Sequence, residues 1–285
     1  MQANLALVEW VQQFRTPHLD AFFELLNFFD TKTFYGIVVL LLWFGKNYRV
    51  GLRLFSLFFL SDIALGFFKN FFQMPRPFHL LPELGIISVP GYGFPSGAAT
   101  TSTLVGGLLL IHAKGPWKWF VAPLFVFLVS LSRVYLGVHF VTDVLGGWIL
   151  GLLLLAFAYY VLPRIEKQLR KGSRLSLFLL SQVIPSMLFL ACRSLPLYVV
   201  GVGLLIGLYC QEKLRLLPPE PRNLKENILR GGVGTLTGLL IFFLSEYLSH
   251  KVPSHRVFLL FFTGAAISLG GGALCYSLPK KRRYF

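Results

Sequence analysis

Apolar runs long enough to cross a bilayer recur along this chain from residue 31 to residue 278, and they leave it few ways to fold. In hydrocarbon every backbone N–H and C=O must find its partner within the protein, so such runs fold as helices. Each needs roughly 20 residues to cross a core of about 30 Å. Only 14% of the 285 residues are charged and 55% are hydrophobic, whereas ordinary soluble domains carry about 25% charged residues. The expectation is an all-α, polytopic transmembrane helical bundle, an integral multi-pass membrane protein.

Nine spans are expected, near residues 31–45, 50–72, 98–113, 117–136, 139–162, 174–193, 195–210, 229–249 and 256–278. The first is short, and only "RSLP" separates the sixth from the seventh. Residues 1–30 mix Glu9, Arg15, Asp20, Glu24 and Asp30 with apolar residues, which suits interfacial helices better than a cleavable signal. Cys192, Cys210 and Cys275 are too scattered for a disulfide framework or a metal site.

The formal net charge of +15 raises nucleic acid as a partner, but the distribution of the cations argues against it. If the spans alternate, all but eight of the 27 Lys and Arg residues fall in the loops after the odd-numbered spans or in the C-terminal tail. The positive-inside rule then places that side in the cytoplasm. The loop "GYGFPSGAATTS" (residues 91–102) faces outward, towards periplasm or lumen. Three of the eight outward cations, Lys69, Arg76 and Arg133, lie around it.

Three stretches carry the chemistry. In "KNFFQMPRPFH", Lys69 ends a span and the turn Pro75-Arg76-Pro77 can fold Arg76 back towards it. Arg offers a fork of donors matched to phosphate oxygens and Lys a compact charge, although cations at a membrane boundary commonly only snorkel. In "GYGFPSGAATTS", Ser96 reads as the N-cap of an apolar helix that begins at Gly97 and presents its first amides. A helix head of that kind binds anions readily. In "SRVYLGVHFVTDVLGG", Arg133 closes one span, and His139 and Asp143 share a face at the start of the next. A carboxylate that accepts the proton on one imidazole nitrogen leaves the other free to attack or to take a proton. Together the three make an anion cradle around a nucleophile on one side of the membrane.

The order Lys69-x6-Arg76-Pro77, then Pro95-Ser96-Gly97, then Ser132-Arg133-x5-His139-x3-Asp143 resembles the type 2 phosphatidic acid phosphatase (PAP2) superfamily over roughly residues 18–160. The resemblance implies a helical membrane core of six spans, five of them strong here, with the N-terminal segment as a source of the sixth. It also implies a lipid phosphatase or phosphotransferase with no metal or other cofactor. By that resemblance Lys69, Arg76, Ser96, Gly97 and Arg133 hold the phosphoryl group, His139 attacks phosphorus to form a phosphohistidine, and Asp143 orients it.

The departure is Ala98, which stands where the family typically has the histidine that protonates the leaving oxygen. Three readings stay open. The site is active with less need of an acid, as on a diphosphate that leaves as a phosphate, with His79 as an accessory acid. Alternatively, a histidine has been replaced on purpose, or the chain binds a lipid phosphate without cleaving it. A phospholipid transporter or flippase is the rival from another functional class.

Three segments follow: an N-terminal amphipathic segment 1–30, a PAP2-like catalytic membrane core 31–162, and a C-terminal transmembrane extension 163–285. The Gly-rich eighth and ninth spans of the extension permit close helix packing, and Glu246 is its one acid of note. The expected partners are a lipid phosphate or diphosphate and the bilayer, the expected location a bacterial inner membrane with the C-terminus in the cytoplasm. Nothing in the sequence specifies an oligomer.

Overall fold

The computed structural model describes residues 2–169, 195–213, 221 and 223–277. The expected span 174–193 lies outside these. Among the described residues there are helices and connecting turns and no strand. Among the described residues four helical segments are long and apolar enough to cross a membrane: Tyr48–Leu80, Lys118–Tyr135, Val141–Arg164 and Leu224–Lys251. The helix-only, multi-pass class read from the apolar runs is the class found.

The described residues fall into two compact units, Met1–Tyr35 with Leu57–Ser173, and Gly36–Ser56 with Arg174–Phe285. The first opens with α1 (Gln2–Gln12) and α2 (Pro17–Leu26), followed by a 3-10 turn at Asn27–Asp30. Thr16 caps α2, its hydroxyl accepting from the Leu19 amide at 3.2 Å, and Pro17 occupies the first helical position, where no N–H is needed. Helix α3 (Lys32–Gly45) has 14 residues, too few to span alone. Pro17–Asp30 and α3 together are long enough to cross, with a bend of 55° between them. The N-terminal segment is therefore helix α1 followed by α2 and its 3-10 turn, which lead through a bend into α3.

Next come α4 (Tyr48–Phe72), the single turn α5 (Pro77–Leu80), α6 (Gly97–His112), α7 (Lys118–Tyr135) and α8 (Val141–Ala156). Helix α8 runs through a π-helical turn at Phe157–Val161 into α9 (Leu162–Leu169). Helix α6 packs between α7 and α8, and glycines set how closely. A Cβ on Gly147 would lie 2.6 Å from the Ser96 carbonyl oxygen, and one on Gly151 2.9 Å from that of Thr100. On the other flank a Cβ on Gly106 would lie 2.7 Å from a Val126 methyl. Val8, Leu84, Ala99, Val134, Phe140 and Val144 form one buried cluster, so α1 is packed into the core of this unit.

In the second unit α10 (Leu195–Lys213), α11 (Leu224–Lys251) and α12 (Arg256–Ser277) pack through small residues. Gly203 of α10 faces the Phe261 carbonyl of α12, and Gly264 of α12 faces that of Val200, with no room for a side chain at either. This is the close backbone approach expected of glycine-rich spans. Near the end of α11 Glu246 lies 3.7 Å from His250 and 3.7 Å from Arg256, the latter an ion pair.

Candidate active site

Every sequence-predicted site residue belongs to the first unit, and each sits at or beside one end of its helix. Lys69 is in the last turn of α4, Arg76 precedes α5, Ser96 precedes α6, Arg133 is in the last turn of α7, and Asp143 is in the first turn of α8.

His139 owes its place to the turn after α7. Gly137 adopts φ +69, a left-handed conformation that glycine accepts without steric cost. The Gly137 amide donates to Val134 O at 3.1 Å, and those of Val138 and His139 to Arg133 O at 3.1 and 3.2 Å. Returning amides of this kind stop a helix sharply and satisfy its last carbonyls. His139 is thereby turned inward just before α8 begins at Val141, so the expected span 139–162 starts two residues later than its first residue.

His139 and Asp143 are each only 2% exposed. The Nδ1 of His139 lies 3.3 Å from Asp143 Oδ2, which also accepts from the Phe140 amide at 3.0 Å. On the other side of the ring, Arg76 Nη1 lies 3.1 Å from Nε2. With Nδ1–H donating to Asp143, Nε2 carries the lone pair and faces a cation. Burial, and after it the charges of Arg76, Lys69 and Arg133, hold this imidazole well below its usual range, so it is neutral at neutral pH.

The remaining donors of Arg76 brace the loop. Nε donates to Gly91 O at 2.8 Å, Nη2 to Pro90 O at 3.2 Å, and Nη1 also to Val138 O at 2.9 Å. Lys69 Nζ donates to the carbonyls of Tyr92 and Gly93 at 2.7 and 3.3 Å. Both cations thus grip the backbone of residues 90–93 around the histidine. Gly93 lets that loop press inward: a Cβ there would lie 2.9 Å from Asp143 Oδ2.

Ser96 is the N-cap of α6, its hydroxyl accepting from the Ala99 amide at 3.4 Å, and its own amide donates to Asp143 O at 2.9 Å. That bond ties the head of α6, with Gly97 as its first residue, to the first turn of α8. Ala98 follows in the same turn and is 1% exposed. His79 is exposed, and its Nδ1 accepts the Arg76 amide at 3.2 Å, which closes the single turn of α5.

Arg133, 1% exposed, has two partners that sequence reasoning missed. Its Nη1 donates to Asn27 Oδ1 at 2.6 Å, and Nη2 lies 3.6 Å from Asp30 Oδ2. Neither Nε nor Nη2 has a hydrogen-bond partner. The one signal in the sequence was Asp30 itself, an acid closing the N-terminal segment on the side that holds the surplus cations. Among the described residues no group of three or more His, Cys, Asp or Glu side chains could hold a metal ion.

The arrangement is a buried His–Asp pair with an arginine at the imidazole Nε2, a helix head tied to it, and a second buried arginine with two nitrogens that make no hydrogen bond. A family model described as the PAP2 superfamily matches residues 50–167. An undecaprenyl-diphosphatase of Sulfolobus acidocaldarius is 28% identical over 147 residues, 45% of this chain and 71% of that protein. A lipid A 4'-phosphatase of Porphyromonas gingivalis is 33% identical over 158 residues, 51% of this chain and 66% of that protein. The crystal structure of a transmembrane PAP2-type phosphatidylglycerolphosphate phosphatase from Bacillus subtilis is 27% identical and covers 61% of this chain and 87% of that one, with a TM-score of 0.46. This polytopic membrane protein therefore carries a PAP2-superfamily core over residues 50–167.

Proposed function

We propose that the chain is a membrane phosphatase or phosphotransferase acting on a lipid phosphate or diphosphate at the outward, periplasmic or lumenal, face. The observation that carries this reading is the His139–Asp143 pair with Arg76 at Nε2. The names of the relatives, a diphosphatase and a lipid phosphatase, support the substrate class. Residues 31–162 are the catalytic core in this reading, preceded by the amphipathic segment 1–30 and followed by the extension 163–285.

The His139 Nε2 lone pair forms a bond to phosphorus as the bond from phosphorus to the leaving oxygen breaks, and that oxygen departs with the electron pair. Asp143 keeps the proton of Nδ1 in place and stabilises the charge that forms on the ring. Lys69, Arg76, Arg133 and the head of α6 at Ser96 and Gly97 stabilise the equatorial oxygens, the main protein contribution to phosphoryl transfer. Water then attacks phosphorus and frees His139; a lipid hydroxyl in its place makes the reaction a transfer. With Ala98 in place of an acid, a diphosphate is the favoured substrate, because a phosphate leaves without needing a proton as an alkoxide does.

Ala98 also favours a second reading, a lipid-phosphate binder or transporter that does not cleave. Phosphate release from phosphatidic acid and farnesyl diphosphate in detergent micelles separates the two. His139→Ala is expected to lower release by at least about 10³-fold, as loss of a nucleophile does. Release that survives the substitution rejects the phosphohistidine route, and a wild-type chain that releases nothing favours the binder.

A further inference from the structure

Arg133 reaches its place through residues outside the family's motifs. Its guanidinium is buried, and a buried guanidinium must be neutralised and hydrogen-bonded to stay there. Asn27 and Asp30, on the 3-10 turn between α2 and α3, supply both needs. The Asn27 oxygen accepts from Nη1 at 2.6 Å, and the Asp30 carboxylate pairs with Nη2 at 3.6 Å, beyond hydrogen-bonding range. The edge bearing Nε and Nη2 keeps its donors unspent. Two N–H groups on one edge of a guanidinium match two oxygens of a phosphoryl group.

The same turn continues to the head of α6. Tyr35 Oη donates to Asp30 Oδ1 at 3.1 Å and lies 2.6 Å from Thr101 Oγ1. Thr101 in turn donates to Gly97 O at 2.9 Å. Arg133 on α7 and Gly97 at the start of α6 are thus joined through Asp30, Tyr35 and Thr101, the first two supplied by the N-terminal segment and the first turn of α3. The Tyr35 ring is fixed against Phe58 of α4, with centroids 4.9 Å apart.

We propose that Asn27, Asp30 and Tyr35 are positioning residues for phosphoryl transfer. Asn27 and Asp30 hold Arg133 by one end so that its Nε/Nη2 edge meets the phosphoryl oxygens, and Tyr35 sets that edge against the head of α6. None of the three touches the reacting atoms; they act through Arg133. The proposal rests on the reading of Arg133 as a phosphate ligand. It assigns the N-terminal segment a part in catalysis, exerted through Arg133, and not merely in membrane attachment.

A double-mutant cycle on the full chain tests it, with phosphate release from farnesyl diphosphate as the readout and melting in detergent as the check on folding. Asn27→Ala is expected to lower kcat/KM about 10- to 100-fold, the range for losing a hydrogen bond to a charged group. Tyr35→Phe keeps the ring and removes one hydroxyl, so it is expected to cost about 3- to 10-fold. In an Arg133→Ala background either change should add less than about 2-fold, because residues that act through one group are not additive. Full multiplicative losses in that background mean a merely structural role and overturn the proposal. A large loss in Arg133→Ala beside wild-type rates in Asn27→Ala and Tyr35→Phe overturns it too, but leaves the phosphatase reading standing. An undiminished rate in Arg133→Ala overturns both.

Discussion

At the scale of single residues, two positions decide how the site behaves. The first is His139, whose neutrality comes from burial and from three cations around it. A lowered pKa means that the unprotonated form, the one that attacks in the proposed mechanism, persists as pH falls. The acid limb of kcat/KM, corrected for ionisation of the substrate, is expected below the ordinary histidine value of about 6.5. A limb at or above that value would show that another group controls the rate. The second is Ala98, buried in the first turn of α6. In the proposed mechanism a histidine there would supply an acid beside the leaving oxygen, and a positioned acid is worth about 10²–10⁴-fold. Ala98→His is therefore expected to raise release from phosphatidic acid more than from farnesyl diphosphate. Equal effects on both substrates would mean that the leaving oxygen lies elsewhere. The motif residues at this scale were legible in the sequence because short spacings within a helix or turn fix which groups share an end. Asn27 and Asp30 were not, because 106 residues separate Asn27 from Arg133 and no local rule pairs them.

At the scale of elements, the site depends on how closely α6 approaches α8. Gly147 sits one turn beyond Asp143 on α8, against the Ser96 carbonyl and 2.7 Å from the Ala99 Cβ by the position a Cβ would take. Gly147→Leu forces the head of α6 away and breaks the register of the Ser96 amide with Asp143 O. Overpacking of this kind costs about 1–3 kcal/mol. Phosphate release should fall further than stability, since the displaced helix head is part of the cradle. Measured melting temperature and rate on the same preparation check this, and a normal rate in a destabilised protein would refute it. Helix α1 belongs to the same scale. Gln12 donates to Leu84 O at 2.7 Å and to Tyr135 O at 2.9 Å, clasping the loop after α5 to the end of α7. The sequence reading of residues 1–30 as amphipathic captured their polarity. It missed that several of their polar side chains bond to the core, Gln12 to backbone carbonyls and Asn4, Asp20 and Asn27 to side chains.

At the scale of the whole molecule, the charge asymmetry of the loops sets the orientation proposed for the site. With Cys192, Cys210 and Cys275 replaced by serine, a cysteine at Glu83 should react with an impermeant maleimide on intact cells. A cysteine at Lys114 should react only after permeabilisation. The reverse pattern would put the site in the cytoplasm. What the sequence determined by itself was the membrane class, the positions of most helices and the motif residues. Apolar length and helical spacing are local properties, and a bilayer tolerates few other folds. What only tertiary structure decided was the use of the donors: Arg76 and Lys69 on the carbonyls of the 90–93 loop, Asn27 and Asp30 on Arg133, Ser96 on Asp143. Those pairings arise where helix ends from distant parts of the chain meet. A buried donor takes whichever acceptor packing brings to it, and that choice is not written in any one segment.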